Sequence, residues 1–549
     1  MDQNPTFYIC VVGVLIIVAL FMALVPLLRD RSDEKRGHDW FWGILIVAIL
    51  AAGRWPSIVF PRELNPDECQ LLAGARALVH DPVFWRSVDG GTAGPLDFFA
   101  LWPVGWFFGW QTFLTARITA FVFVAIMLLS VHQSMAILLG RRVARLASLT
   151  AVCLEALSNA EDLLHYSTEI FPMMLLTVAA YSAVRRWLDQ RGPLWNGLGG
   201  LLLGAIPLAK LQVVPLAASL GVGWLLAEIF SKTPGRGRRI TYLLVGALFP
   251  ASMFACQLTL AGEWNSFLIS YVSSNIRYSG LGSASVWQTM LDMRGISIQR
   301  DSLLHLWAPA ISIWIVLMLR PRRSADRTVL LSTLAGFAAT LLAIYCVSFT
   351  RIPFLHYWQL AIVPTTFFVA TLTKNLLDSA SRSARKRDHW LVAACAFGLV
   401  VTLVVQRVRQ PSIYLGFHPY LERKPFTDLS TCITPHVRPG DSIAIWGWSN
   451  FVYVETGLRQ ATRDAIIYNF IEPSPHRDFF RKRFLNDFIN ALPTFFLDSV
   501  GPYSMHYQGE EFAHDIYFPA LAAIIHSHYL LVETIPGARL YQRKDLVDR

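Results

Sequence analysis

The sequence has little charge. Only 16% of its 549 residues are Asp, Glu, Lys or Arg, whereas 54% are hydrophobic and the mean hydropathy is +0.42. A typical soluble domain has about 25% charged residues. The composition therefore excludes an ordinary soluble protein and favours one that crosses a membrane several times.

Paired cysteines and an N-terminal signal are also missing. The seven cysteines are odd in number, lie mostly in apolar runs and include no CxxC pair, so we expect neither a disulfide framework nor a zinc site. The start, MDQNPTFYIC, has no basic segment of the secretory kind, and we interpret the apolar run 6–28 as an uncleaved span. No internal repeat of the transporter kind is visible.

Apolar runs close to the ~20 residues that a bilayer requires recur along the chain. We predict about twelve transmembrane helices, at 6–28, 40–60, 112–139, 146–161, 164–184, 196–211, 213–230, 240–260, 304–319, 328–348, 355–373 and 391–407. Loops that carry clusters of Lys and Arg alternate with loops that do not. Such clusters are typical of cytoplasmic loops, so we place the basic loops on the cytoplasmic side. The net charge of +10 therefore comes from basic loops that set the orientation in the membrane, and we expect no nucleic-acid partner. Loops 61–111 and 261–303 and the chain after 408 are then expected outside, in the periplasm of a bacterium.

The first long outer loop contains adjacent acids in the run Asn65-Pro66-Asp67-Glu68. Asn65 is typical of a helix cap and Pro66 of a first helical turn, and an apolar face at 71–79 follows at helical spacing. We expect that face to lie along the membrane surface. Under one interpretation the two acids only complement the positive helix end, with Glu68 closing a capping box on Asn65. Under the other they are catalytic.

Further polar residues occur at the outer ends of predicted spans. Acidic residues at membrane depth are costly, and for that reason they favour a function. A snorkelling lysine and an interfacial belt of aromatic residues are the plainer alternatives for the others. Carboxylates and cations at one interface suit the displacement of a sugar from a lipid phosphate, since a carboxylate deprotonates the acceptor hydroxyl and the cations stabilise the departing phosphate. The residues are Asp162, His165, Glu169, Lys210, Arg351, His356 and Tyr357.

The last part of the chain changes character. Short β-like runs begin at 441, 493, 528 and 539 and are separated by turn signals and helix-like stretches. We therefore predict an all-α polytopic membrane domain at 1–410, which includes the outer loops 61–111 and 261–303. A small C-terminal α/β domain at 411–549 is predicted to lie in the periplasm.

Several motifs, in their order along the chain, resemble those of the GT-C membrane glycosyltransferases. They are Asp67-Glu68, Gly94-Pro95-Leu96, the run from Asp162 to Glu169, Lys210 after a proline-containing span, and His356-Tyr-Trp before an apolar span with Pro364. Within that group the chain is most similar to bacterial members related to protein O-mannosyltransferases, lipid A aminoarabinose transferases and the galacturonic acid transferases of rhizobial lipopolysaccharide. The resemblance extends over roughly residues 40 to 410.

The resemblance implies roles for individual residues. Asp67 would be the catalytic base or the acid that orients the acceptor, and Glu68 would support it or help to hold a cation. Asp162 would be the second acid of the site. Lys210 would contact the donor phosphate, and Arg351 and His356 are further candidates for that contact or for the sugar. The remaining candidates for binding the substrate are His165, Tyr166, Glu169, His356 and Tyr357. We expect these groups to gather in one cavity at the outer leaflet.

The activity implied is inverting transfer of a monosaccharide from a polyprenyl-phosphate donor to a hydroxyl of a glycolipid, polysaccharide or protein. The enzyme would lie in the bacterial inner membrane, in contact with membrane lipids, with its active site facing the periplasm. No cofactor is certain, although adjacent carboxylates are able to bind a divalent cation. Two alternatives stay open: a transporter or flippase of lipid-linked sugars, and a polymerase or ligase of lipid-linked saccharides.

Overall fold

A computed structural model describes most of the chain. The described residues are 5–28, 39–158, 161–188, 192–280, 285–291, 327–351, 354–379, 427–547 and, apart from 391, 395, 399 and 402, residues 390–404. The contacts between Cα atoms divide the protein into two compact units. The first comprises 1–57, 120–253 and 277–418, and the second comprises 58–119, 254–276 and 419–549.

The first unit is helical. Five helices within the described part of the chain are long and apolar enough to cross a membrane: Trp40–Val59, Phe113–Leu139, Leu211–Phe230, Arg236–Ala261 and Leu330–Phe349. Further helices cover Pro5–Leu28, Arg141–Leu157, Glu161–Leu164, Ile170–Leu188, Leu194–Ala205, Val286–Leu291 and Gln359–Ser379. The expectation of about twelve spans stays a prediction. The span expected at 304–319 lies outside the described residues.

The helix predicted after Asn65 is confirmed. It covers Pro66–His80, and the Asn65 side chain accepts a hydrogen bond of 2.9 Å from the backbone N–H of Asp67. Its predicted position along a membrane surface is wrong, because the apolar face is buried inside the protein, with Leu72 and Leu78 both 0% exposed. Phe98 packs against this helix at Gly74, where a Cβ atom would lie only 2.5 Å from the ring. Periodicity identifies an apolar face, but it does not reveal whether lipid or protein covers that face.

The second outer loop is partly helical. Trp264–Ser266 and Ser274–Tyr278 are α-helical, and the π-helical turn Phe267–Ser273 lies between them. Tyr271 is 1% exposed, and its ring lies 5.8 Å from that of Trp85. Residues 254–276 belong to the same compact unit as loop 61–111 and the C-terminal residues. The domain boundary predicted at 410 falls in 405–426, which lies outside the described residues.

The predicted C-terminal strands are confirmed. Strands β1 (Ser442–Trp446), β2 (Arg459–Gln460), β3 (Phe495–Asp498), β4 (Tyr529–Ile535) and β5 (Ala538–Arg543) form one sheet in the order β2-β1-β3-β5-β4. β1 is parallel to β2 and to β3, whereas β5 is antiparallel to β3 and β4. The helices Arg477–Ala491 and Pro519–His528 pack on the sheet through buried Phe484, Phe488 and Leu521. β2, which has only two residues, was not predicted.

A buried ionic cluster joins three stretches of the second unit. The Nη2 atom of Arg483 donates hydrogen bonds of 2.6 Å to Asp89 and of 2.6 Å to Asp464, and its Nη1 atom donates one of 2.8 Å to Ser270. Burial opposes ionisation of Asp89, but the Arg483 charge holds the pKa of that carboxyl below its ordinary value. Burial raises the pKa of Asp464 to about 7 against the opposing charge of Arg483. We call these four residues the Arg483 cluster.

Candidate functional site

Lys210 is a buried cation at a break between helices. The chain is extended at this residue (φ −145°, ψ 118°), between the 3-10 turns Ile206–Leu208 and Leu211–Val213. Pro207 and Pro215, which lack a backbone N–H, flank the break and favour it. The side chain of Lys210 is only 5% exposed. An ammonium group so buried requires partners of opposite charge.

The partners of Lys210 come from the predicted Asp162–Glu169 run. The Nζ atom donates a hydrogen bond of 2.7 Å to Thr168 Oγ1 and forms an ion pair of 3.1 Å with Glu169 Oε1. It also lies 5.6 Å from the centre of the Tyr357 ring. Glu169 is fully buried, and its Oε2 atom has no hydrogen-bond partner among the described residues. Since an ammonium has three N–H groups, these two partners leave one N–H with no hydrogen bond to the described residues, and a ligand could accept from it.

A second set of predicted residues lies beside this pair. His356 Nδ1 is 3.7 Å from Asp162 Oδ2, and the His356 ring is 5.8 Å from the ring of His165. The His165 side chain is buried, with its Nδ1 atom 3.1 Å from the backbone oxygen of Glu161. The Tyr357 hydroxyl lies 3.2 Å from that of Tyr278. The structure therefore places acids, cations and aromatic rings together in the first unit.

A buried ion pair supports the segment that carries these residues. Arg54 donates a hydrogen bond of 2.6 Å from Nη2 to Glu155, and both side chains are 1% exposed. The same nitrogen donates one of 2.9 Å to the backbone oxygen of Leu163. Leu163 directly follows Asp162 in the chain. We infer that Arg54 holds this segment in place, as a positioning residue.

In the second unit, the adjacent acids Asp67 and Glu68 have different environments. Glu68 is 0% exposed, and both of its carboxylate oxygens accept hydrogen bonds of 3.1 Å from Arg117. Arg117 also donates to the backbone oxygens of Phe60 and Arg62. The carboxylate of Asp67, in the first helical turn, is part-exposed. The Glu68 carboxylate is thus committed to Arg117, and Asp67 is the acid of this pair that solvent or a substrate reaches.

Another acid lies close to this pair. Glu63 accepts a hydrogen bond of 3.1 Å from the Cys69 thiol. Burial raises the pKa of the Glu63 carboxyl to about 7, and the negative charges of Glu455 and Glu68 contribute to the rise. A carboxyl with a pKa close to neutrality is able to accept or donate a proton at physiological pH.

Two predicted residues have other surroundings. Arg351 has a positive φ of 57°, and its Nε atom is buried without a hydrogen-bond partner among the residues that the structure describes. Tyr166 is buried, with its ring 6.3 Å from that of Phe123. The assignments of Arg351 to the donor phosphate and of Tyr166 to the substrate stay predictions.

One cluster in the described ranges has the spacing of a metal site, and it is not the predicted one. The ligand atoms of Asp498, His514 and Asp515 lie within 4.8 Å of one another. Arg539 donates hydrogen bonds of 2.8 Å to both aspartates, so a guanidinium already offsets part of the negative charge of this cluster. A divalent cation at Asp67 and Glu68 stays a hypothesis.

The sequence patterns did not identify several residues that contact the candidate site residues. Arg117 and Arg54 are charged residues at or within apolar runs, which is the signal that identified Lys210. Thr168 lies inside the recognised Asp162–Glu169 run, but its neutral hydroxyl carries no comparable signal. The sequence does not reveal which cation pairs with which acid, because each pair joins distant parts of the chain.

The chain is similar to solved structures over most of its length. ArnT from Cupriavidus metallidurans, in a crystal structure with undecaprenyl phosphate bound, is similar with a TM-score of 0.58 and 13% identity. The likeness covers 93% of this chain and 99% of that chain. This chain has a GT-C fold. The resemblance to GT-C membrane glycosyltransferases that the motifs indicated is therefore confirmed at the level of the fold.

Other comparisons add less. ArnT in the apo state gives a TM-score of 0.46 at 13% identity over 91% of this chain and 98% of that one. An oligosaccharyltransferase of Archaeoglobus fulgidus gives 0.38 at 12% identity over 83% of this chain and 68% of its own. Scores below 0.5 do not establish a common fold. No family model matches the chain, and no curated protein matches it in sequence.

Proposed function

We propose that this protein is an inverting glycosyltransferase that uses a polyprenyl-phosphate-linked monosaccharide as donor. The GT-C fold supports the class of enzyme. The observation that carries the proposal is the buried Lys210, which has Glu169 and Thr168 as partners and one N–H left for a ligand. The acceptor is a hydroxyl of a glycolipid, polysaccharide or protein, and we propose that the reaction takes place on the periplasmic side of the bacterial inner membrane.

In the proposed reaction, the acceptor oxygen attacks the anomeric carbon from the face opposite the phosphate. The new C–O bond forms as the bond to the phosphate oxygen breaks, and the configuration at the anomeric carbon inverts. The phosphate leaves with the bonding electron pair as polyprenyl phosphate, and Lys210 stabilises its charge. The proton of the acceptor hydroxyl passes to the carboxylate of Asp67.

The other residues of the first unit are assigned to the sugar and the phosphate. His356 and Asp162 form a pair that offers both a donor and an acceptor to sugar hydroxyl groups. Tyr357, whose ring faces the Lys210 ammonium, presents an aromatic surface and a hydroxyl. Glu169 holds Lys210 in place until the phosphate arrives. We assign Glu68 and Arg117 to positioning the helix that carries Asp67.

The proposal is tested by transfer assays on purified protein. Donors are polyprenyl-phosphate aminoarabinose, galacturonic acid and mannose, incubated with the envelope lipids and polysaccharides of the source cells, and the gain in acceptor mass is measured. Asp67→Asn is expected to lower transfer by about a hundredfold or more, the size of a general-base contribution. Transfer by Asp67→Asn at the wild-type rate would refute the proposed base.

Lys210 is tested through the donor. We expect Lys210→Met to weaken use of the donor phosphate by about tenfold or more, the usual effect of removing a charge-assisted hydrogen bond. Lys374→Met is the matched control, because Lys374 is part-exposed and pairs with Asp378 at 3.0 Å on its own helix. An unchanged dependence of rate on donor concentration in Lys210→Met would contradict the phosphate contact.

A further inference from the structure

The C-terminal sheet has an edge suited to ligand binding. β1 and β3 are parallel neighbours, and the chain leaves β1 towards β2 but leaves β3 towards β4 and β5. The connections after the two strands therefore diverge. In sheets with parallel strands, ligands bind beyond the carboxyl ends of the strands at such a point of divergence.

The two connections at this edge are tied together. Trp448, after β1, donates a backbone hydrogen bond of 3.0 Å to the Ser504 hydroxyl. Ser449 donates one of 2.9 Å from its hydroxyl to the backbone oxygen of Tyr503, after β3. The backbone N–H of Met505 donates one of 3.1 Å to the backbone oxygen of Trp448. The segments 447–450 and 499–508 thus form one surface, which we call the β1–β3 edge.

Polar groups without partners are concentrated at this edge. Asn450 is 0% exposed, and neither its amide nitrogen nor its amide oxygen has a hydrogen-bond partner among the described residues. The same holds for the indole nitrogen of Trp448 and for the hydroxyl of Ser499. Leaving a buried polar group without a partner is unfavourable. A ligand that opens this edge would supply the partners that the described residues do not.

Aromatic rings lie next to these polar groups. The Trp448 ring is 5.1 Å from the ring of His506 and 6.4 Å from that of Tyr468. His506 is exposed, and Trp448 and Tyr468 are part-exposed. A ligand that suits this edge has an apolar face for the rings and several hydroxyl groups for the amide. A sugar ring combines both.

We propose that the β1–β3 edge is a saccharide-binding site. The C–H face of the sugar packs against Trp448 and replaces some of the groups that partly bury this ring. The sugar hydroxyls exchange hydrogen bonds with the amide of Asn450. The site lies in residues 442–508, which include none of the residues assigned to transfer. The proposal is independent of the transferase activity, and a bound glycan here serves recognition and not catalysis.

Saccharide binding is tested by saturation-transfer NMR on the full-length protein in a detergent without a sugar headgroup. The probes are glucose, galactose, mannose and glucosamine. We expect transfer to at least one of them and about a tenfold loss of affinity in Trp448→Ala. Trp287→Ala is the control, since Trp287 is 69% exposed in the other unit, and it should bind as the wild type does. No transfer from the wild-type protein to any of the four sugars would overturn the proposal.

Further variants separate the site from folding and from catalysis. Asn450→Leu keeps most of the volume of the side chain but removes both polar groups of the amide, so binding should weaken while the melting temperature does not fall. If Trp448→Ala fails to fold, Trp448→Phe keeps a ring and is expected to retain binding. Asp67→Asn should bind the sugar normally even where transfer is lost. Equal binding by wild type and Asn450→Leu would mean that the sugar makes no contact with this amide, and it would refute the site.

Discussion

The Arg483 cluster makes the stability of the second unit depend on pH. Asp464 and Asp89 share one guanidinium nitrogen of Arg483, each at 2.6 Å. Burial, with added repulsion from Asp89 and Asp487, raises the pKa of Asp464 to about 7 from its ordinary 3.8 despite Arg483. The folded state therefore holds a proton that the unfolded state releases above pH of about 4. The free energy of unfolding should fall as the pH rises from about 4 to about 7, and then level off.

The size of this effect follows from the shift. A rise from 3.8 to about 7 amounts to about 4 kcal/mol at about 1.4 kcal/mol for each pKa unit. Between about pH 5.5 and about pH 7.5 the loss is about 2 kcal/mol, or roughly thirtyfold in the equilibrium for opening. Asp89 has the opposite shift, but its carboxyl is already ionised in this range in both states. Glu63, a carboxyl of the same unit whose pKa is also raised to about 7, contributes a loss of similar size. Asp464→Asn should therefore remove about half of the pH dependence in this window.

Hydrogen exchange of the full-length protein measures the opening. Peptides from the helix Arg477–Ala491 are followed at both pH values, with correction for the pH dependence of the chemical exchange rate. Asp478→Asn is the control, because Asp478 is exposed on the same helix. The reasoning fails if wild type and Asp464→Asn lose the same protection between the two pH values.

Three further substitutions test buried contacts by thermal unfolding in detergent. Arg117→Leu leaves Glu68 buried without its cation and should destabilise the protein by about 3–5 kcal/mol, with full stability contradicting the ion pair. Arg54→Met should cost a similar amount, about 3–5 kcal/mol, because it strips Glu155 of its partner, and the double variant with Glu155→Gln should recover part of the loss. Phe98→Ala, at a side chain that is 0% exposed, should cost about 3–5 kcal/mol through the cavity that it opens, and an unchanged melting temperature would refute that packing.

Local signals predicted much of the fold. The helix at Pro66–His80 follows from the cap at Asn65, and the strands β1, β3, β4 and β5 follow from short apolar runs bounded by turns. The helix cap and the strand patterns are both formed by residues that are close to one another in sequence. The prediction that the apolar face of Pro66–His80 lies along the membrane surface is wrong, because Phe98 and other residues distant in sequence cover this face. Two-residue β2 carries too short a pattern to be recognised.

The candidate site was predictable in its members but not in its pairing. Lys210, Glu169 and His356 were each singled out as polar residues at the ends of apolar runs. Which of them meet depends on how the helices pack, and no spacing in the sequence encodes the 3.1 Å between Lys210 and Glu169. The same limit hid Arg117, whose partner Glu68 is 49 residues away in the chain.

The pairing of Arg117 with Glu68 gives the two adjacent acids different environments. A carboxylate that only complements a helix end remains solvated and needs no dedicated cation, whereas Glu68 is fully buried and bound through both oxygens. Its charge is neutralised locally, and it leaves the carboxylate of its neighbour Asp67 part-exposed at the positive end of the helix. Because the two acids are adjacent but have separate environments, Glu68→Gln should mainly lower stability and Asp67→Asn should mainly lower transfer. A transfer defect in Glu68→Gln that equals that of Asp67→Asn, in protein of unchanged stability, would contradict this division of roles.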